Sequence, residues 1–273
     1  MADDMLAAQA ARYEQTIAGL RDAHARFRDE VLPRVAAVTN TVHHLPFYVP
    51  FRGQITATAD AARDDLNAFE KLFTEMMVPV LLPRRLWHSA QIWTEVREQM
   101  SAVAGDLAIT NREIQVRWRG AAETAYESII PAHIAAATQL ATNADAIQLA
   151  LSWGGSSAAT FYTALLAILL AGTAAILTAL ATAVAVAGAL GPLGGLGGIV
   201  LLAMVAAGLF SQLASLVNTG ADAYGRMRIW MNELRSEMHD NSALPNGTWP
   251  AARQEWFKDG SVADHDADWS LEH

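Results

Sequence analysis

The residues that could perform chemistry in this sequence are few, and they do not converge on a catalytic arrangement. His43 and His44 are adjacent, so on a regular element their side chains would point in different directions. Residues 264–268 are mostly acidic and have the pattern of a solvated tail. Glu123 and Glu127 would share a helix face, but no histidine accompanies them. The sequence therefore predicts no enzyme, no catalytic residues, no metal site and no cofactor.

Composition excludes further classes of function. The glycines between residues 188 and 198 are not followed by Lys-Ser or Lys-Thr, so they do not form a phosphate-binding loop. The chain has no cysteine, which rules out a thiolate zinc site and a disulfide framework. Its net charge is −9, from 28 acidic and 19 basic residues, so we expect no nucleic-acid partner.

The distribution of charge is the most informative feature. No charged residue lies between Asp145 and Asp222, whereas about one residue in four is charged in an average globular chain. A cluster of Gly and Pro divides this tract into apolar arms at about 158–190 and 199–217. Each arm has about the 20 residues that a helix needs to cross the hydrocarbon of a bilayer. The tract predicts a helical hairpin that is apolar on nearly all sides and belongs in a membrane or deep inside a protein.

We expect this hairpin to be a membrane-insertion element that contacts lipid. The residues assigned to insertion are Leu165, Leu169, Leu170, Ile176, Leu190, Gly191, Pro192, Gly194, Gly195, Ile199, Leu201 and Leu202.

Apolar residues spaced three or four apart predict helices in the parts of the chain that carry charge. The stripes run from Leu6 to Val31, from Ile55 to Met76, from Ile92 to Ile114, from about 121 to Leu151, and from Leu213 to Leu234. Pro33 predicts the end of the first helix, and residues 39–53 predict a loop. No segment alternates like a strand. The predicted fold is all-α: an elongated antiparallel helical bundle with a central apolar helical hairpin.

The predicted organisation has five parts. They are an N-terminal helical hairpin (1–80), a second hairpin (81–151), the apolar membrane-active hairpin (152–220), a return helix (221–241) and an acidic tail with tryptophans (242–273). We expect the tryptophans of the tail to dock on the helices or on a partner, with docking on the helices favoured. The last residues, Leu271-Glu272-His273, resemble the remnant of an affinity-tag junction.

A short motif lies between the third and fourth predicted helices. Trp118-Arg119-Gly120, followed by an Ala-rich helix start, resembles the WXG (Trp-X-Gly) family of helical-hairpin proteins exported by the type VII (ESX) secretion system. The resemblance covers about residues 84–151 and implies that Trp118 and Gly120 form the turn. Phe51-Arg52-Gly53 has the same aromatic-Arg-Gly form and predicts a second turn.

The family resemblance also implies pairing with a second WXG protein, or two hairpins of such a pair fused in this chain. One feature departs from the family. Its export signal is usually a Tyr followed four positions later by an acid, whereas Tyr224 is followed at that spacing by Arg228.

The layout, with a hydrophobic segment between long helices, resembles the α-helical pore-forming toxins of the cytolysin A type. The start of the chain, Met1-Ala2-Asp3-Asp4, lacks the basic and apolar regions of a signal peptide, so we expect secretion by a non-Sec route. The expected function is membrane association after insertion into lipid, as a pore-forming homo-oligomer.

Two alternatives stay open at this point. In the first, the chain is a resident two-span integral membrane scaffold of secretion machinery, with Arg226 and Arg228 on the cytoplasmic side. In the second, it is a soluble WXG-type interaction or chaperone module whose hairpin is an Ala-rich core.

Overall fold

The computed structural model describes residues 2–46, 49, 51–190, 195–239, 243–244, 247–250 and 269–271. Its helices are α1 (Ala2–Arg26), a π-helical stretch (Phe27–Val31), α2 (Leu32–His43), α3 (Arg52–Met77), α4 (Leu82–Arg117), α5 (Ala121–Leu190) and α6 (Gly195–His239). Two short strands are β1 (Trp118–Gly120) and β2 (Trp269–Leu271). The prediction of an all-α helical bundle is confirmed.

The chain divides into two compact units. The first, which we call the hairpin unit, consists of Met1–Arg85 and Gly154–Gly225. The second, which we call the strand unit, consists of Leu86–Trp153 and Arg226–His273 and contains both strands.

The first helix does not end at Pro33, so this prediction is wrong. Proline lacks an N–H group, and its ring clashes with the carbonyl four residues earlier in a regular helix. The chain accommodates Pro33 just after the π-helical stretch, where the Leu32 N–H donates to the Phe27 carbonyl five residues back. Helical structure then continues to His43, so residues 39–43 are helical although the sequence predicted a loop there.

The stripes predicted for α1 and α3 form the core of the hairpin unit. Phe27 of the π-helical stretch, Phe69 of α3 and Phe210 of α6 meet there. The ring centroids of Phe27 and Phe69 are 5.4 Å apart, and those of Phe69 and Phe210 are 6.4 Å apart in an edge-to-face arrangement. Three elements are therefore fastened together by aromatic packing around Phe69.

The stripe predicted for α4 has the wrong register. Ile92 and Val103 are 48% and 37% exposed, while Trp87, Ala90 and Thr94 are buried. Thr94 can be buried because its hydroxyl donates to the Ala90 carbonyl one turn earlier, at 3.2 Å. Small residues thus line the packed face, where the sequence pattern favoured the larger ones.

Helix α5 is continuous over 70 residues, although the sequence predicted two segments separated near 151–158. Gly154 and Gly155 lie inside it and are both buried. Each glycine costs about 1 kcal/mol of helix propensity relative to Ala. Tertiary packing outweighs this local preference. The stripe predicted from Leu213 to Leu234 on α6 is confirmed, because both of these residues are buried.

In the hairpin unit, α5 and α6 pack antiparallel in a regular register. A Cβ added at Gly198 would overlap Ala183, one added at Gly172 would overlap Leu209, and one added at Gly220 would touch Phe161. The two numbers of each pair add up to 381, and successive pairs are 11 residues apart in each helix. An 11-residue repeat gives about 3.67 residues per turn, close to the 3.6 of a straight helix. The two helices therefore run side by side with backbones in close contact.

The close approach predicts opposite effects for two glycine substitutions in α6. Gly198→Ala should lower the free energy of unfolding by about 1–3 kcal/mol, because its methyl group has no room beside Ala183. Gly208→Ala, whose Cβ would meet no atom within 4 Å, should raise it by about 0.5–1 kcal/mol. Urea unfolding measures both changes. The same sign for the two variants would contradict the register.

Candidate membrane-insertion site

One face of the α5–α6 hairpin is buried in the hairpin unit. Five of the residues assigned to insertion lie on it and are at most 6% exposed: Leu165, Leu169, Ile176, Ile199 and Leu202. A charge at one of these positions, as in Leu202→Arg, would be buried without a partner and would destabilise the fold itself. These residues form the buried side of the hairpin in the hairpin unit.

The remaining assigned residues have other positions. Leu170 is 49% exposed and Leu201 is half-buried. Gly195 begins α6. Leu190 ends α5, and its side chain lies outside the described residues, as do Gly191, Pro192 and Gly194.

The opposite face of the hairpin, which we call the outer face, is apolar and exposed to water. Its large side chains are 42–67% exposed, and they are Leu170, Val184, Val200, Met204 and Val217. The whole tract from 146 to 221 lacks charge, so no charged side chain of the hairpin interrupts this face. Sequence reasoning missed Val184, Val200 and Met204, because a helix that is apolar all round carries no periodic signal that separates its faces.

The exposed threonines of the hairpin satisfy their own hydroxyl groups. Each donates to the backbone carbonyl four residues earlier at 2.9–3.0 Å, and these residues are Thr160, Thr163, Thr178, Thr182 and Thr219. In hydrocarbon a hydroxyl has no water to bind, and such an internal bond removes most of the cost. These threonines are therefore compatible with lipid.

The outer face ends in an apolar region near the start of α6. Ile199 packs with Val42, Val49, Ile55 and Ala59, which brings the connection between α2 and α3 to this end of the hairpin. The connection between α2 and α3 adds an exposed aromatic side chain at this end of the hairpin.

This side chain belongs to Phe51, which is 71% exposed and adopts a left-handed backbone conformation with φ 59°. This conformation costs about 1–2 kcal/mol for a residue with a Cβ. Two hydrogen bonds hold it: the Ile55 N–H donates to the Phe51 carbonyl, and Arg52 Nη2 donates to the His43 carbonyl, each at 3.0 Å. We call Phe51, Val184, Val200 and Met204 the apolar tip.

Gly53, assigned with Phe51 to a second turn, lies inside α3 and has no neighbouring atom within 4 Å of a built Cβ. The left-handed position of this connection is therefore occupied by Phe51, and packing does not require glycine at 53.

The inner face of the hairpin meets α1 and α3 along an interface that we call the seam. Tyr13 of α1 donates its hydroxyl hydrogen to the Val80 carbonyl at 2.7 Å. Tyr162 of α5 donates to the Met76 carbonyl at 3.1 Å. The two rings lie 6.2 Å apart. The Met76 carbonyl lies in the last turn of α3, which leaves it without a partner within the helix, and the Val80 carbonyl lies in the connection that follows α3. Tyrosines from both sides of the seam bind these two carbonyls.

The Trp-Arg-Gly motif lies in the strand unit, between the end of α4 and the start of α5. Its backbone forms β1, which pairs antiparallel with β2: Trp118 opposite Leu271 and Gly120 opposite Trp269. The side chain of Trp118 lies outside the described residues. Sequence reasoning missed this pairing, because Leu271 was interpreted as part of a tag junction.

The C-terminal tail also contacts α5. The His133 ring lies 5.6 Å from the Trp249 ring, and its Nε2 is 3.0 Å from the Pro250 carbonyl oxygen. The Trp249 ring therefore docks on α5, as expected, whereas Trp269 contributes backbone to β2. The side chain of Trp269 and the whole of Trp256 lie outside the described residues.

The strand unit contains an apolar groove of about 300 Å³ between α5 and α6. Its lining consists of Ala146, Leu149, Ala150, Trp153, Met227 and Trp230. No titratable side chain belongs to this lining. Within the described ranges, no group of three His, Cys, Asp or Glu side chains is placed to hold a metal ion.

Comparison of the chain with protein-family models, with curated proteins and with solved structures finds no match. The WXG resemblance therefore rests on the residues of the motif alone.

The seam predicts a sensitivity to alkaline pH. Burial, with smaller effects from Tyr162 and Glu14, raises the pKa of Tyr13 well above its ordinary value of 10.0. Above that pH the unfolded chain releases the proton while the folded protein keeps it. The stabilisation is therefore complete below pH 10 and is lost as the pH rises toward the folded pKa.

Tyr13→Phe should remove this part of the pH dependence and cost about 1–2 kcal/mol at neutral pH, because the Val80 carbonyl loses its donor. Guanidinium unfolding at several pH values between neutral and about 11 measures both the loss of stability and the change in its pH dependence. An unchanged alkaline slope in the variant would show that Tyr13 is not responsible.

Proposed function

We propose that this protein binds membrane lipid through its outer face and apolar tip and then inserts the α5–α6 hairpin into the bilayer. Helices α5 and α6 each contain a stretch long and apolar enough to cross a membrane. In the most apolar part of each, 39% and 28% of the residues are buried. A core helix of a soluble protein would be mostly buried, so these values favour a surface that meets another apolar phase.

The observation that carries the proposal is the exposed, uncharged outer face, with side chains such as Val184 and Met204 at 67% and 59% exposure. Transfer of such side chains from water into hydrocarbon is favourable by about 25 cal/mol for each Å² removed from water. Thr178 and Thr182 oppose this transfer only weakly, because their hydroxyl groups are already bonded within the helix. A hydroxyl without such a bond would cost more free energy to remove from water.

We further propose that several copies assemble into a pore. One hairpin that is apolar on both helices offers no polar lining for a water-filled channel, so a pore needs surfaces from more than one chain. The assignment to type VII secretion rests on the Trp118-Arg119-Gly120 connection between α4 and α5.

A soluble interaction module is the second candidate. The buried inner face, including Leu165 and Leu202, and the close contact of Gly198 with Ala183 resemble the packing of an ordinary protein core. In this case the outer face would bind a partner protein, and the chain would purify without detergent and ignore vesicles. A resident two-span protein would instead be found only in membranes.

A matched pair of variants tests the lipid contact. Met204 on the outer face and Met5 on α1 are both 59% exposed. Met204→Asp should weaken vesicle binding by about 2.5–3.5 kcal/mol, roughly 100-fold, because a charge would have to enter the hydrocarbon. Met5→Asp should leave binding unchanged. Flotation with neutral phosphatidylcholine vesicles and release of a trapped dye measure the effects, with helical content checked by circular dichroism. Equal binding by the two variants would contradict lipid contact through the outer face.

The secretion assignment is tested separately. In a bacterium with a functional type VII system, we expect the chain in the culture medium, and none in a strain without that system. Trp118→Ala should reduce export while the chain remains present in the cells. Export that does not depend on the system would remove this part of the proposal and leave the membrane part intact.

A further inference from the structure

We infer that the α5–α6 hairpin enters the membrane as an intact pair and that the interface which opens is the seam with α1 and α3. The inference rests on the proposed membrane insertion and adds which contacts are kept and which are broken. Three properties of the hairpin unit support it: the packing within the hairpin, the location of the histidine–carboxylate contacts, and the composition of the seam.

The packing within the hairpin depends on small residues at close backbone contact. Gly198 lies directly against the backbone and the methyl group of Ala183, so the two helix backbones touch there. Helices in lipid associate through this kind of contact, because small residues let the backbones approach and gain van der Waals attraction that lipid chains do not replace. The contact between α5 and α6 is therefore kept when hydrocarbon replaces water around the pair.

The histidine–carboxylate contacts of the N-terminal helices connect those helices to one another. His24 Nε2 of α1 lies 3.2 Å from Glu70 Oε1 of α3, and His43 Nε2 of α2 lies 3.0 Å from Asp60 Oδ1 of α3. The hairpin has no charge with which to take part. Charged side chains are expensive to place in hydrocarbon. Helices α1 to α3 can thus stay together in water while the hairpin leaves.

The seam is held by contacts that lipid can largely replace. Leu166 of α5 packs against Gly19 of α1, and Phe210 of α6 packs against Phe69 of α3. Apolar contacts of this kind exchange side chain for acyl chain with little change in free energy. Of the tyrosine hydrogen bonds among the described residues, the one from Tyr162 to the Met76 carbonyl crosses the seam and is lost on opening, whereas the bond from Tyr13 to the Val80 carbonyl is kept. The seam is therefore the weaker interface in the presence of a bilayer.

Two pairs of cysteines separate the alternatives, and the chain has no cysteine of its own. Gly19→Cys with Leu166→Cys places thiols across the seam, and Gly220→Cys with Phe161→Cys places them within the hairpin. Each pair replaces one glycine and one large apolar neighbour, so the pairs are matched. A short bismaleimide links each pair, and a monofunctional maleimide gives the unlinked control. Dye release from phosphatidylcholine vesicles is the measurement.

We expect the seam link to abolish dye release and the hairpin link to leave it at the level of its unlinked control. Release that survives the seam link, or is lost with the hairpin link, would overturn the inference. In either of these cases the proposed function still stands if the unlinked proteins bind and permeabilise vesicles. If the unlinked proteins and the wild type ignore vesicles, the proposed function fails, and the inference fails with it.

Discussion

A helical hairpin without a single charge must be covered on one side to stay in water, and three amphipathic helices cover only one of its faces. Helices α1 to α3 supply Tyr13, Phe69 and their neighbours to the inner face, where Leu165 and Leu202 are almost fully buried. The outer face remains apolar and open, with Val184 at 67% exposure. We propose that this imbalance allows the protein to fold in water and to gain free energy wherever a second apolar phase meets the open face.

The chemistry of the hairpin suits both environments. Its glycines allow the two backbones to touch, and its threonines bond to their own helices, as Thr178 does to the Ala174 carbonyl. Neither feature depends on water. By contrast, the hydrogen bond of Tyr162 and the histidine–carboxylate contacts of α1 to α3 are polar interactions outside the packed hairpin pair. The division between the two kinds of contact follows the seam, and for this reason we propose separation along it as the route into a membrane.

The sequence predicted α1, α3 and the charged part of α6 well, because large apolar residues such as Phe73 and Leu234 recur among charged ones. It failed where that contrast is absent. The register of α4 depends on small residues like Ala90, and the continuity of α5 through Gly154 depends on packing that propensity does not report. Pro33 stands inside a helical region because the π-helical stretch before it accommodates the missing N–H.

The sequence predicted which segment forms the candidate site, but it did not predict which side of the hairpin is buried and which is exposed. An apolar tract marks a hairpin, whereas only its neighbours decide that Leu202 is buried and Met204 is exposed. Phe51 is a similar case, since its exposure at the end of the hairpin follows from the packing of Val49 and Ile55 with Ile199. The pairing of β1 with β2 joins residues 118–120 to residues 269–271. Local sequence patterns do not predict a partner so far away along the chain.

The central claim is that the outer face leaves water for lipid, and a probe on that face tests it directly. With no native cysteine present, a single Met204→Cys variant can carry an environment-sensitive fluorophore. Iodide in the water should quench its emission in the free protein. When vesicles are added, iodide should no longer quench the emission. Lipids that carry a nitroxide on the acyl chain should quench it instead, and the emission maximum should shift to shorter wavelength. Emission that stays quenched by iodide and unaffected by the nitroxide lipids would contradict the account.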